Sequence, residues 1–180
     1  MIAIMSDLIA AVTRLPGREL RFAVGETLFH LGDRVRLLHI VREGSVHLIR
    51  HQEDGSALVL QRARKEAVLA EASLWATTYH CDARAETAAV TWVVGRDEVR
   101  RQIAGDPILA AAWAGHLALE VQRARLRAEI LSLKTVAARL NAWLTWNGSL
   151  PRKGERSFLA LEIGVSPEAL YREIARRRRA

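Results

Sequence analysis

The chain holds one cysteine in 180 residues, Cys81. A lone thiol excludes an internal disulfide, a four-cysteine iron–sulfur cluster and an all-cysteine zinc site, and it suits a reducing cytoplasm. No stretch approaches the roughly 18 consecutive apolar residues of a membrane-spanning helix. The start, Met1 to Ala11, is apolar but contains Asp7 and no basic leader, so neither a secretory signal nor a membrane partner is expected. Also missing are a glycine-rich phosphate loop, a His-Glu-x-x-His pair and a serine elbow, and the adjacent acids Asp97 and Glu98 have no supporting shell. These absences point away from an enzyme, and no resident cofactor is expected.

What is present is an ordinary globular composition with an uneven charge. Half of the residues are apolar, and the length is enough to bury a real core. The formal charge is +7, of which residues 1–133 carry +1 and residues 134–180 carry +6. Such a local basic excess draws a segment towards a polyanion and supplies mainly sequence-independent affinity.

The chain is organised around Ile108 to Leu133. Leu109, Trp113, Leu117, Val121, Ala124, Ala128 and Leu131 recur in threes and fours, which places them on one stripe of a helix. Asp106 is positioned to cap it and Pro107 suits its first turn. Arg123, Arg125, Arg127 and Glu129 are expected on the wet opposite face. The helix is roughly 40 Å long, more than one small core needs, and two late alanines suit close pairing with a second copy. Sealing a sheet within one chain is the other use of such a stripe.

Before it lie a short helix over Ser6–Leu15 and a series of short apolar pieces: Phe22–Val24, Thr27–Phe29, Leu37–Val41, Ser45–Arg50 and Ala57–Gln61. Glu43-Gly44 and Asp54-Gly55 separate them as turns, and an Asp-Gly pair between alternating runs is a hairpin signal. Glu71 to Trp75 reads as a turn of helix, Ala83 to Val94 as a further alternating stretch, and Arg96 to Ile103 as a short helix. After it come a helix over Val136–Trp146, a loop, a short helix over Arg156–Ile163, the tight turn Gly164-Val165, and a last helix capped by Ser166 with Pro167 at its first position. Two short helices joined by a glycine turn, the second ending in basic residues, match the helix-turn-helix plan.

Four segments then carry a resemblance: Gly25-Glu-Thr-Leu-Phe-His-Leu-Gly-Asp33, Ile40-Val-Arg-Glu-Gly-Ser-Val46, Leu69-Ala-Glu-Ala-Ser-Leu-Trp75 and Ala160-Leu-Glu-Ile-Gly-Val-Ser-Pro-Glu-Ala-Leu-Tyr-Arg172. With the central helix they span about residues 20 to 178, and the chain resembles the Crp/Fnr superfamily of bacterial transcription regulators. The resemblance implies an α+β fold. An antiparallel β-roll of the double-stranded β-helix or jelly-roll type occupies residues 1–106, a dimerisation helix 107–134, and a small all-α helix-turn-helix domain without a complete wing 135–180. It implies a cytoplasmic homodimer with double-stranded DNA and RNA polymerase as partners. The residues that would touch DNA are Ser166, Pro167, Glu168, Arg172 and Arg176. A glutamate can accept from a cytosine amino group and an arginine can donate twice to guanine; an ordinary i,i+4 surface pair is the other reading of Glu168 and Arg172.

Departures from the family pattern shape the expectation. Pro167 stands where a basic residue is frequent. The chain stops at Ala180 after Arg176-Arg-Arg-Arg179, where the family continues into a β-hairpin wing; those arginines either replace the wing's phosphate contacts or form a solvated end. In the ligand cassette, Glu71, Ala72 and Ser73 occupy the motif of the ribose-binding glutamate. Tyr79 and His80 replace the arginine-serine pair that holds a cyclic phosphate, and Ala124 and Arg125 replace the polar pair that meets the base. A buried phosphate without a paired cation is costly, so cyclic AMP is not expected in the usual mode. His80 and Cys81, as neighbours on a strand, point to opposite faces and do not converge on one metal ion. Two functions follow: a dimeric DNA-binding regulator with an effector of unknown identity, or a ligand-binding or protein-interaction module whose helix-turn-helix no longer reads specific DNA.

Overall fold

The computed structural model describes residues 2–53 and 57–178, with side chains described from residue 8 onward except at 57; the Asp54-Gly55 turn lies outside the described residues. The chain forms two compact units, Met1–Leu117 and Ala118–Ala180.

The first unit opens with α1 (Ile2–Thr13), four residues earlier than the sequence pattern suggests, and continues into eight strands. These are β1 (Gly17–Phe22), β2 (Thr27–Phe29), β3 (Leu37–Glu43), β4 (Ser45–His51), β5 (Ala57–Arg64), β6 (Val68–Leu69), β7 (Asp82–Ala85) and β8 (Ala89–Gly95). They build two four-stranded antiparallel sheets, ordered β1-β8-β3-β6 and β2-β7-β4-β5. The strand expected over Phe22–Val24 lies earlier, over Gly17–Phe22, where charged residues alternate with Leu20 and Phe22; Val24 is left exposed. The Gly44 turn does not close a hairpin, because β3 and β4 belong to different sheets. With φ +74 and the Ala88 carbonyl where a Cβ would sit, that position requires glycine to carry the chain across. The alternating stretch Ala83–Val94 is likewise two strands, one in each sheet.

Side chains from the two inner faces fill the roll: Val41, Leu69 and Ala89 from one sheet meet Val46, Leu48, Ala83 and Ala85 from the other. The outer face of the first sheet is apolar as well. Leu38, Ile40 and Val94 pack there against Leu8 and Val12 of α1, Val99 of α2 (Arg96–Gly105), and Leu109 and Trp113 of α3 (Pro107–Ser132). Burial on both faces is why Leu37–Val41 of β3 reads as apolar but for His39. Asp106 caps α3 as its side chain accepts from the Ile108 and Leu109 amides at 2.8 and 3.2 Å.

The second unit comprises the end of α3, then α4 (Val136–Asn147), α5 (Arg156–Glu162) and α6 (Pro167–Arg177). Thr135 caps α4 by accepting from Ala138 N at 3.1 Å, and Gly148, at φ +81, ends it. Its core is Ile130, Leu140, Trp143, Leu159, Ala160, Ile163, Leu170 and Ile174. Here the expected face assignment of α3 changes. Leu126 and Ile130 lie opposite the predicted stripe and turn into this core, so the face expected to be wet is apolar at those two positions. Val121, Ala124, Ala128 and Leu131 of the stripe are exposed. No described helix is long and apolar enough to cross a membrane.

Candidate nucleic-acid interface and ligand cassette

Gly164 at φ +66 turns the chain between α5 and α6, and Ser166 then caps α6 by accepting from Ala169 N at 3.2 Å. Leu170 and Ile174 anchor the helix in the core, which leaves Ser166, Glu168 and Arg172 exposed and Pro167 partly so. Glu168 and Arg172 form no ion pair within 4 Å among the described residues. A hydrogen bond from its own backbone amide, then one from Ser166, hold the Glu168 carboxyl below the usual range, with a smaller pull from Arg172. Both side chains face solvent, with the Glu168 carboxyl held at the helix start by those hydrogen bonds. Arg176 is different. Its Nε and Nη2 each donate to Glu173 at 2.9 Å, and Arg177 Nε donates to the same carboxylate at 2.8 Å. Arg177 Nη2 also reaches the Ala137 carbonyl at 3.0 Å. Those hydrogen bonds pull Glu173 down to about 2. The basic end of α6 is thus partly committed to fastening that helix to α4.

In the roll, the cassette is the 3-10 turn Glu71–Trp75 and the loop to β7. Ala70 enters it in the left-handed region at φ 49. Glu71 accepts from Gln61 Nε2 at 3.3 Å, Ala72 is exposed, and buried Ser73 lies 3.2 Å by its hydroxyl from His80 Nδ1. Tyr79 turns inward: its ring stacks on Phe29 with centroids 3.6 Å apart, and its hydroxyl donates to the Leu37 carbonyl at 2.8 Å. Burial, then Asp33, push Tyr79 up to about 12, so it stays a neutral donor. The residue in the place of the phosphate-holding arginine is therefore part of the core. Cys81 is fully buried and pushed by burial to about 11, hence an unreactive thiol. His80 is exposed.

Ser73 and His80 are brought together and Glu71 meets Gln61; Arg125 stands exposed on α3 in the other unit. Two residues of this cluster escape sequence reading. Arg50 donates to the His80 carbonyl at 2.7 Å, and Gln61 bridges Glu71 and the Val68 carbonyl. Gln61 pairs with buried Leu48, and that placement is the signal by which it could be found; Arg50 is exposed near the end of β4 and carries no such signal. No trio of His, Cys, Asp or Glu among the described residues is arranged to hold a metal ion.

Residues 19–106 match the family model of the cyclic nucleotide-binding domain. That segment is similar to the cyclic nucleotide-binding domain family, and the fold of the chain is similar to that of several solved structures. A search of curated proteins by sequence finds no match. Among solved structures, FixK2 of Bradyrhizobium japonicum superposes with a TM-score of 0.72 at 18% identity, over 90% of this chain and 84% of that one. The c-di-GMP-responsive global regulator CLP of Xanthomonas campestris gives 0.67 at 19%, over 96% and 91%. A CRP-family transcriptional regulator from Thermus thermophilus gives 0.61 at 23%, over 89% and 84%. At these identities the likeness is one of fold.

Proposed function

We propose that the chain is a homodimeric DNA-binding transcriptional regulator, a binding protein and not an enzyme, whose reader is the exposed face of α6. The observation that carries this is the partition of that helix: Leu170 and Ile174 are buried while Ser166, Glu168 and Arg172 face solvent at its N-terminal half. A helix held this way by a glycine turn can present an acceptor and a bidentate donor to base edges, with phosphate favoured at its amino end. The exposed stripe Val121, Ala124, Ala128 and Leu131 on α3 supports pairing with a second copy. Double readers on a dimer meet half-sites about 34 Å apart.

The roll is read as a sensor or scaffold in which cyclic AMP does not bind in the usual mode. Tyr79 fills the core where a cyclic phosphate would need a cation. Effector control requires a ligand that favours one of two helix arrangements.

The test is a gel shift on duplex from the region upstream of the gene, at several salt concentrations, with the mass in solution measured by light scattering. Expected are a mass of two chains and sequence-selective retardation that Arg172→Ala abolishes. Selectivity lost in this way corresponds to about 1–3 kcal/mol for one bidentate pair. Equal binding to any duplex, or a one-chain mass at working concentration, refutes the reading.

A further inference from the structure

The chain holds two tyrosines, Tyr79 buried in the roll and Tyr171 on α6. Tyr171 is 38% exposed and stands in a cleft of about 410 Å³ that Lys153, Arg156, Ile174, Ala175 and Arg178 also line. We propose that Tyr171 is a phosphorylation site and that this cleft receives the phosphoryl group placed on its hydroxyl.

Three cations and no carboxylate line the cleft, and Glu155, between two of them in sequence, is not part of the lining. Arg139, Arg176 and Arg177 are spent within the fold, on carbonyls and on Glu173. Arg156, by contrast, makes one bond among the described residues, from Nε to the Pro151 carbonyl at 3.4 Å, and Lys153 and Arg178 are exposed. The Tyr171 hydroxyl donates to the Lys153 carbonyl at 3.3 Å. That length is beyond the usual range for a hydroxyl donor, so the bond is weak and readily given up, yet it sets the phenol oxygen at the turn that carries Lys153. A tyrosine phosphate carries about −1.5 to −2 charge at neutral pH, and opposite an arginine cluster it gains about one to three charge-assisted hydrogen bonds. Tyr79, buried and tied to the Leu37 carbonyl, is out of reach of such a modification.

The step is phosphoryl transfer from a nucleoside triphosphate by a tyrosine kinase acting on the chain. A bond forms between the phenol oxygen and the γ-phosphorus while the bond from that phosphorus to the β,γ-bridging oxygen breaks. The nucleoside diphosphate leaves with that electron pair, and the phenol proton passes to a base of the kinase. Tyr171 and Arg172 are consecutive and both exposed, about 100° apart around α6. A dianion beside Arg172 opposes the phosphates of a duplex and engages the cations of the cleft, so the modified chain releases DNA. That consequence rests on the DNA reading above; the phosphoryl site does not.

The experiment compares the full chain with the same chain carrying phosphotyrosine at position 171, installed during synthesis, and follows the phosphate by phosphorus NMR and the fold by melting temperature. Expected are a second phosphate ionisation at least about half a unit below its ordinary value near 6 and a higher melting temperature at neutral pH. Both gains should vanish in the double variant Lys153→Gln, Arg178→Gln, which changes two surface residues and melts as the unaltered chain does when unmodified. In parallel, a tyrosine kinase with ATP and magnesium should add one phosphoryl group to the unaltered chain by intact mass and none to Tyr171→Phe. A phosphate that titrates at its ordinary value with no gain in melting temperature, or a kinase-treated chain left unmodified at Tyr171, overturns the site. Fluorescence anisotropy with labelled duplex then reads the consequence: the phosphorylated chain should bind at least about tenfold more weakly, as the loss of two effective cations implies near 0.15 M salt. Equal affinity overturns the release of DNA. Failure of the unmodified chain to bind any duplex overturns the DNA reading and the release together, while the ionisation and the melting temperature still decide the site.

Discussion

Arg139 and Gly164 are fastened to each other: Arg139 Nη1 donates to the Gly164 carbonyl at 2.7 Å and to that of Ile163 at 3.2 Å. The same guanidinium donates from Nε to Leu133 O at 2.7 Å and from Nη2 to Leu131 O at 3.0 Å. Carbonyls at a helix end have no partner within the helix. One side chain therefore closes the end of α3 and the turn that aims α6. Gly164 lies in the left-handed region at φ +66, and a Cβ there would push on the tips of two side chains, 2.5 Å from Leu131 Cδ2 and 3.2 Å from Arg139 Nη1.

Arg139→Ala is expected to lower the stability of the second unit by about 2–3 kcal/mol, the range for charge-assisted hydrogen bonds after allowance for partial exposure. Arg139→Lys, with one point donor in place of a fork, recovers less than half. Gly164→Ala costs at least the roughly 1–2 kcal/mol of a left-handed non-glycine residue. The two sites share their contacts, so a double-mutant cycle by chemical denaturation gives a coupling above about 0.5 kcal/mol. Strict additivity would contradict the clamp.

Glu173 makes the second unit sensitive to acid. Its folded carboxyl lies near 2, against an ordinary 4.5, because Arg176 and Arg177 bond the charged form. A group depressed on folding contributes stability that is present above the ordinary value and lost as the pH falls through the folded one. Melting temperature should therefore fall between about pH 4.5 and 2. Glu173→Gln flattens that part of the curve and lowers stability at neutral pH. A variant curve that keeps the unaltered acid limb would refute this.

His39 acts over a higher window. It is buried inside the roll, 3.3 Å by Nδ1 from the Thr91 hydroxyl, and burial lowers it from 6.5 to about 4. The unfolded chain takes up a proton that the folded chain refuses, so stability is complete above 6.5 and declines as the pH falls towards 4. The decline amounts to as much as about 3 kcal/mol at 1.36 kcal/mol per pH unit. Imidazole NMR should place its midpoint near 4, and denaturation of His39→Gln should lack the decline. A midpoint near 6.5 would show instead that water reaches the ring.

Where local chemistry decides conformation, the sequence was legible. Asp106, Pro107, Ser166, Pro167 and the glycines at 148 and 164 sit in the caps and turns their side chains dictate. The period-three-and-four stripe of α3 gave its length but not its faces. Periodicity does not say which neighbour arrives, and Leu126 with Ile130 serve a core built from residues 136–174. The sheet change at Gly44 and the break inside Ala83–Val94 were hidden because both depend on pairings between distant strands. In the candidate site, Glu71, Ser73 and His80 could be placed by motif. Arg50, Arg139 and the partners of Arg176 could not, because a long cationic side chain is directed by whichever carbonyl or carboxylate the fold brings within reach.

The Phe29–Tyr79 stack sets a condition on the roll as a sensor. Two rings in face-to-face contact, with the phenol tethered to the Leu37 carbonyl, fill the interior at that point. Were a ligand to lodge there, as the proposed sensor role would have it, β2 and the loop before β7 would have to part first.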